Sequence, residues 1–182
     1  YQQEWNPETG LRVENTVTDN YIQDVIEDTS GVLWVGTQEG LNLFDRQTGD
    51  WLSFKQDPSN PNSLSHNWIT TLYQDPSGVL WIGTQGGGLD RHDPATGQFT
   101  HYKNDPKNPD SLVNNIISAI VQDDSGVLWL GTGNGVDRFD PGTGKFMHFL
   151  NEPVDPARAE KSTVSSIYTS RSGLLWVGMD NG

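Results

Sequence analysis

A chain of 182 residues with 33% hydrophobic side chains, 20 Gly and 10 Pro suits one turn-dense domain and offers no apolar run long enough to cross a membrane. Its net charge of −13, from 24 acidic against 11 basic residues, argues against nucleic acid as a partner, because neutralising phosphates takes clustered Lys and Arg. With 0 Cys, disulfides and thiol chemistry are excluded.

In chain order, the first signal is the turn Asn6-Pro7-Glu8-Thr9-Gly10 between two short runs, so residues 1–14 are predicted as the last two strands of a sheet unit. Residues 21–66, 67–114 and 115–162 each repeat one complete plan, and 163–182 repeats its first half. In the second period, Ile69 to Gln74 is the first run. Asp75-Pro76-Ser77-Gly78 follows, with Asp at i, Pro at i+1 and Gly at i+3, as a type I turn prefers. Val79 to Gly83, Leu89 to His92 and Gln98 to Tyr102 are the next three runs. The turns Gln85-Gly86-Gly87-Gly88 and Asp93-Pro94-Ala95-Thr96-Gly97 separate them. No window carries a sustained 3.6-residue apolar period, so no helix is expected.

The pattern Ser-Gly-x-Leu-Trp-x-Gly sets the period. Its tryptophans fall at 34, 81, 129 and 176, in steps of 47, 48 and 47 residues. Four short antiparallel strands (A to D) per repeat of this length describe a β-propeller blade. The expected fold is all-β: half a blade, three whole blades and another half blade, four blades' worth in all. Alternation along strand B puts Val32 and Trp34 on one face and Leu33 and Val35 on the other, as blades that pack on both faces require. The four tryptophans are therefore expected at equivalent buried positions between blades. The complementary halves, Tyr1 to Glu14 and Val164 to Met179, are expected to pair within one chain or with a second copy, unless the segment belongs to a larger ring.

Asp-x-Ser-Gly-x-Leu-Trp-x-Gly-Thr, then Gly-Leu/Val-x-x-Phe-Asp-Pro-x-Thr-Gly, then Asp-Pro-x-Asn-Pro-x-Ser-Leu resembles the two-component regulator propeller repeat. Asp75 to Thr84, Gly88 to Gly97 and Asp105 to Leu112 show it most fully, and the resemblance covers essentially the whole chain. It implies a periplasmic or extracytoplasmic, usually seven-bladed sensor region of a bacterial hybrid histidine kinase or related signalling protein. Its partners would be other domains of that protein. Departures are Ser170-Arg171-Ser172-Gly173, which lacks the leading Asp, and the linker Asn151 to Ser162. A third is the B–C loop Gly131-Thr132-Gly133-Asn134-Gly135, read as one residue short.

Strand order places the D–A and B–C loops on one rim, where the units differ most and where specificity can be placed. The candidate ligand contacts are Gln38, Glu39, Asn67, Trp68, Gln85, Asn115 and Asn134. A loop-capping role is the alternative for Asn67 and Asn115, and rim packing for Trp68. A small molecule, perhaps a carbohydrate, is the expected ligand, with homo-oligomerisation open. The repeated turn residues Asp28, Asp75 and Asp123 read as turn formers, not a calcium loop, and His66, His92, His101 and His148 are poorly phased for a metal. No nucleophile–base set or phosphate loop is visible, so a non-catalytic module without cofactor or metal is expected. The alternatives are an enzyme resembling the streptogramin-lyase propellers and a purely structural interaction propeller.

Overall fold

The computed structural model describes residues 4–5, 12–14, 16–149 and 163–180. These form strands and no helix. The first two are β1 (Glu4–Trp5) and β2 (Arg12–Glu14). Then come β3 (Ile22–Glu27), β4 (Leu33–Thr37), β5 (Gly40–Phe44) and β6 (Trp51–Phe54), followed by β7 (Ile69–Gln74), β8 (Leu80–Thr84), β9 (Leu89–His92) and β10 (Phe99–Tyr102). The rest are β11 (Ile117–Gln122), β12 (Leu128–Thr132), β13 (Gly135–Asp140), β14 (Lys145–Phe149), β15 (Val164–Thr169) and β16 (Leu175–Met179). Consecutive strands pair antiparallel in the sheets β3–β6, β7–β10 and β11–β14, and β15 pairs β16. The leading strands β3, β7, β11 and β15 lie against one another, which makes them the inner strands of successive propeller blades.

The Asp-x-Ser-Gly turn explains why each blade begins as it does. Asp75 Oδ1 accepts the Ser77 N–H at 2.9 Å, the Ser77 hydroxyl at 2.5 Å and the Val79 N–H at 3.1 Å. Its other oxygen accepts the Trp81 indole N–H at 2.9 Å. Asp28 and Asp123 repeat this set around Trp34 and Trp129. Burial alone would raise these two carboxyls, but the Ser hydroxyl, the indole and the backbone N–H groups hold both below the usual carboxylate range. Gly78 closes the turn at φ 90°, a conformation that disfavours any side chain. In the fourth unit Ser170 accepts the Leu174 N–H at 3.0 Å and meets Ser172 Oγ at 2.9 Å.

Two cores lie between blades, not within them. Trp34, Leu41, Leu64, Ile69, Leu72, Leu80, Ile82 and Phe99 fill the first interface. Val79, Trp81, Leu89, Leu112, Ile117, Ile120, Leu128, Leu130, Phe139 and Phe146 fill the second. Leu80 and Trp81 thus face opposite interfaces, as the alternation along strand B requires. The glycine that ends Leu-Trp-x-Gly lets the next blade approach. A Cβ on Gly36 would lie 2.6 Å from Ile69 Cγ2, and one on Gly131 would lie 2.7 Å from Val164 Cγ1. The register of each leading strand shifts at residues 22/24, 69/71, 117/119 and 164/166. These bulges re-aim a side chain toward the next blade. The Thr70 hydroxyl donates to Ile117 O, and the Ser118 hydroxyl donates to Val164 O.

Three expectations are corrected. First, the chain does not close on itself: β2 pairs with β6, giving the order β1-β2-β6-β5-β4-β3, and β15–β16 stands as a two-stranded sheet among the described residues. The edge of β6 is a free row of backbone donors and acceptors, and the nearby N-terminal hairpin takes it. Second, the tryptophans are not equivalent. Trp34 and Trp81 are buried, Trp129 is half-buried against Phe149 at 5.5 Å, and Trp176 is 63% exposed. Each is covered by the blade that follows it. Half a blade follows Trp129, and no described strand follows Trp176. Third, the B–C turn that differs in length is the second, not the third: Gln38–Glu39 and Gly133–Asn134 are two-residue turns, whereas Gln85-Gly86-Gly87 spans three. The Asn6–Gly10 turn and the Asn151–Ser162 linker lie outside the described residues.

Candidate functional site

The D–A loops owe their shape to the Asp-Pro-x-Asn-Pro-x-Ser-Leu motif. The Ser63 hydroxyl accepts the Asp57 N–H at 2.8 Å and donates to Asp57 O at 3.1 Å, and Ser111 does the same for Asp105 at 2.9 and 3.1 Å. Leu64 and Leu112, which end the motif, are buried in the two cores. The loop is thereby anchored by an apolar plug, and the residues after it are delivered to the rim.

There the B–C turns meet the starts of the leading strands. The Gln85 N–H donates to Trp68 O at 2.9 Å, and the Gly86 and Gly88 N–H groups both donate to Asn115 O, at 3.0 and 2.9 Å. Trp68, Gln85 and Asn115 are thus drawn to one seam, with Asn67 beside Trp68. Trp68 is 38% exposed, and Gln85 is half-buried. Asn67 Oδ1 accepts the Gln56 N–H at 2.7 Å, and Asn115 Oδ1 accepts the Asn104 N–H at 2.7 Å. Each Asn oxygen closes the preceding loop across eleven residues rather than bonding its own backbone. Gln38 and Glu39 sit on the turn of the first blade, half-buried and exposed, and Asn134 is half-buried on the turn of the third. Among the described residues no hydrogen bond ties these three to the Trp68 seam.

The sequence did not single out His66 for this seam. Its Nδ1 accepts the Trp68 N–H at 3.0 Å, and a Cβ on Gly87 would lie 2.8 Å from the His66 Cβ. The glycine run is therefore a close-approach site for residues 65–66. The other histidines are committed elsewhere. His92 stands where the neighbouring blades have Phe44 and Phe139. It is buried within 5.3 Å of Trp34 and 4.8 Å of Phe99 (ring centroids), and burial pushes it down to about 4, so it is neutral in the core. His101 and His148 lie on outer strands, each 2.7 Å from the carboxylate of a buried Asp. Among the described residues no three His, Asp or Glu side chains gather to hold a metal.

Two open clefts lie away from this seam. One of about 410 Å³, on the opposite rim, is lined by Tyr73, Gln122, Asp123, Tyr168 and Arg171 among others. Another of about 320 Å³ runs beside the loop Asp57 to Leu64.

The two component regulator propeller family matches residues 16–39, 63–86 and 111–134. No curated protein is matched by the sequence. Among solved structures, the extracellular domain of the hybrid two component system BT3049 from B. thetaiotaomicron is 31% identical with a TM-score of 0.78, over 89% of this chain and 22% of that one. That of the B. thetaiotaomicron hybrid system BT4673 is 23% identical at 0.71, over 90% and 21%. Virginiamycin B lyase from Staphylococcus aureus is 17% identical at 0.64, over 92% of this chain and 52% of the lyase, which shows a shared propeller fold. The chain spans about a fifth of the length of the extracellular domains it matches. With three four-stranded blades and extracellular domains of two-component systems as neighbours, the chain carries three two component regulator propeller repeats, at residues 16–39, 63–86 and 111–134.

Proposed function

We propose that this chain is a non-catalytic segment of an extracytoplasmic, periplasmic sensor propeller in a bacterial two-component signalling protein. In this reading it binds a small neutral or cationic ligand, with a carbohydrate as the favoured class, and passes the signal to other domains of that protein. Its units run over residues 21–66, 67–114 and 115–162, flanked by half-units at 1–14 and 163–182. The observation that carries the reading is the 31% identity to the extracellular domain of a hybrid two component system over 89% of this chain. The candidate surface is the seam of Asn67, Trp68, Gln85 and Asn115, with Gln38, Glu39 and Asn134 on the adjoining turns. A partly exposed indole beside amide donors and acceptors is the combination that stacks on a sugar ring and bonds its hydroxyls.

The test is an NMR titration with neutral oligosaccharides. Amide shifts should concentrate on residues 66–68, 85–88 and 115, and Trp68→Ala should weaken binding about tenfold or more, equivalent to about 1.4 kcal/mol. Shifts centred on Tyr168 and Arg171 would move the site to the opposite rim, and turnover of a substrate would favour the lyase-like alternative.

A second reading, assembly through protein contacts, is favoured by the apolar faces at the two ends of the arc. Tyr21, Ile22 and Val25 on one, and Tyr168, Leu174 and Trp176 on the other, are exposed. These are the faces that elsewhere in the chain are covered by a neighbouring blade, so a second copy is the simplest cover available to the isolated chain. Light scattering should then give a mass that rises with concentration above the 20.2 kDa of one chain, and Trp176→Glu should return it to that value. A monomeric mass at all concentrations would exclude self-assembly.

A further inference from the structure

One side-chain arrangement occurs twice and is used by neither the core nor the rim. His101, on β10, sits between two acceptors. Its Nδ1 is 2.7 Å from Asp90 Oδ1 on β9, and its Nε2 is 3.0 Å from the backbone oxygen of Pro61 in the preceding D–A loop. Asp90 is fully buried, and its other oxygen accepts the Ser65 N–H at 2.8 Å, at the far end of the same loop. The next blade repeats the set. His148 Nδ1 is 2.7 Å from Asp137 Oδ1, and His148 Nε2 is 2.9 Å from Pro109 O. Asp137 Oδ2 accepts the Val113 N–H at 2.8 Å. Each Asp–His couple therefore holds a loop at two points.

A neutral imidazole has one N–H and one lone pair. It can satisfy a carboxylate or a carbonyl through its single N–H, but not both. Two acceptors on opposite ring nitrogens require two N–H groups, hence an imidazolium. The extra proton belongs to the couple: were it to sit on the carboxyl at some instant, its removal would still leave two acceptors facing each other.

We propose that His101 and His148 act as proton-dependent staples, closed when the Asp–His couple carries its extra proton and released from the loop carbonyl when that proton passes to water, so that the loops at 57–64 and 105–112 loosen as the surroundings become alkaline. The charged neighbours agree. For His101 the hydrogen bond to Asp90 raises the ring most. Burial opposes it, Asp90 charge and the Pro61 carbonyl add to it, and Lys103 works weakly against it. For His148 burial would lower the ring, but the Asp137 bond and charge, the Pro109 carbonyl and Asp110 together raise it. Asp110 itself lies 3.3 Å from Lys145 Nζ. Burial pushes the Asp137 carboxyl up as well, with the Val113 N–H and His148 pulling it back, which keeps the shared proton on the couple.

The first blade supplies an internal comparison. Asn42 and Ser53 stand where Asp90 and His101 stand in the second. Asn42 Oδ1 still accepts the Thr18 N–H at 3.1 Å, and its Nδ2 donates to Val35 O at 3.3 Å. The loop-end tie survives there without a titratable couple.

Because the folded value is raised, the staple is fully present below the ordinary histidine value of about 6.5 and is lost as pH rises through the folded value. The experiment follows the wild-type histidine rings by long-range 1H–15N correlation from pH 5 to 9, with amide exchange of the two loops measured in parallel and corrected for intrinsic rates. Both rings should show two protonated nitrogens at pH 6 and titrate above 6.5. The loop-opening constant should rise by up to about tenfold per pH unit between 6.5 and the ring midpoint, then level off. Asp90→Asn, which installs the first-blade residue, should abolish the pH dependence at 57–64 and leave that at 105–112. Midpoints at or below 6.5, rings with a single protonated nitrogen at pH 6, or loop opening that ignores pH would overturn the proposal. The wild-type titration decides it even if the variant fails to fold.

Discussion

Replacing Trp81 by alanine is expected to cost about 3–5 kcal/mol, a large part of the stability available to a domain of this size. Trp81 is 1% exposed, packs edge-on to Phe139 at 5.7 Å and against Tyr102 at 6.1 Å, and gives its indole N–H to Asp75. The truncation therefore opens a cavity at the interface of the second and third blades and also removes a partner from a carboxylate that is mostly out of water. Trp176 occupies the same place in its repeat but is 63% exposed, so Trp176→Ala should change monomer stability by no more than about 0.5 kcal/mol. Urea unfolding followed by circular dichroism measures both. Equal losses for the two variants would show that the fourth repeat is packed in solution like the second.

Gly83→Ala should destabilise the chain by about 1–3 kcal/mol, although it adds a single methyl to a strand. The new Cβ would lie 2.6 Å from Thr71 Cγ2, 2.9 Å from Ile117 Cγ2 and 3.1 Å from Ile117 Cβ. Thr71 can turn aside, but Ile117 is fully buried in the second core and belongs to the leading strand of the next blade. The two blades must separate or the strand must shift. Gly142→Ala, on an exposed turn where the nearest atom to a new Cβ is Asp140 Oδ1 at 3.3 Å, should stay within about 0.5 kcal/mol. A neutral Gly83→Ala in thermal or urea unfolding would mean that the blade interface has room for a methyl group beside Ile117.

Much of the blade was legible in the residues. The turn in Asp75-Pro76-Ser77-Gly78 follows from local preferences, and its Gly78 N–H to Asp75 O bond of 2.9 Å is the one those preferences favour. The alternation of Leu80 and Trp81 named both faces of the sheet correctly because side chains on a strand have period two whatever surrounds them. The rim was harder to read. Asn67 and Asn115 looked alike as ligand contacts or caps, since an amide offers the same groups to either, and only the position of Gln56 and Asn104 shows where their oxygens point. His101 and His148 stand at matching places on β10 and β14, and Asp90 and Asp137 on the strands before them, each couple eleven residues apart and one period from the next. Their partnership went unread because it runs between strands and on to the carbonyl of a loop some forty residues earlier.

By itself, the sequence determined the repeat, the strand count of each complete unit, the turn chemistry and the packing of apolar residues on both faces, because these depend on contacts within a few residues or on a simple period. The tertiary structure alone decided which blade edge the N-terminal hairpin takes, which of four identical tryptophans are covered, and which histidines face an acceptor at both ring nitrogens. Those outcomes depend on what lies beyond a given repeat: β6 offered an edge to β2, the third and fourth blades left Trp129 and Trp176 progressively less covered, and two carbonyls fell opposite the free nitrogens of His101 and His148. A repeated motif specifies the unit, but the environment of each copy is set by its neighbours, and burial and charge follow from that environment.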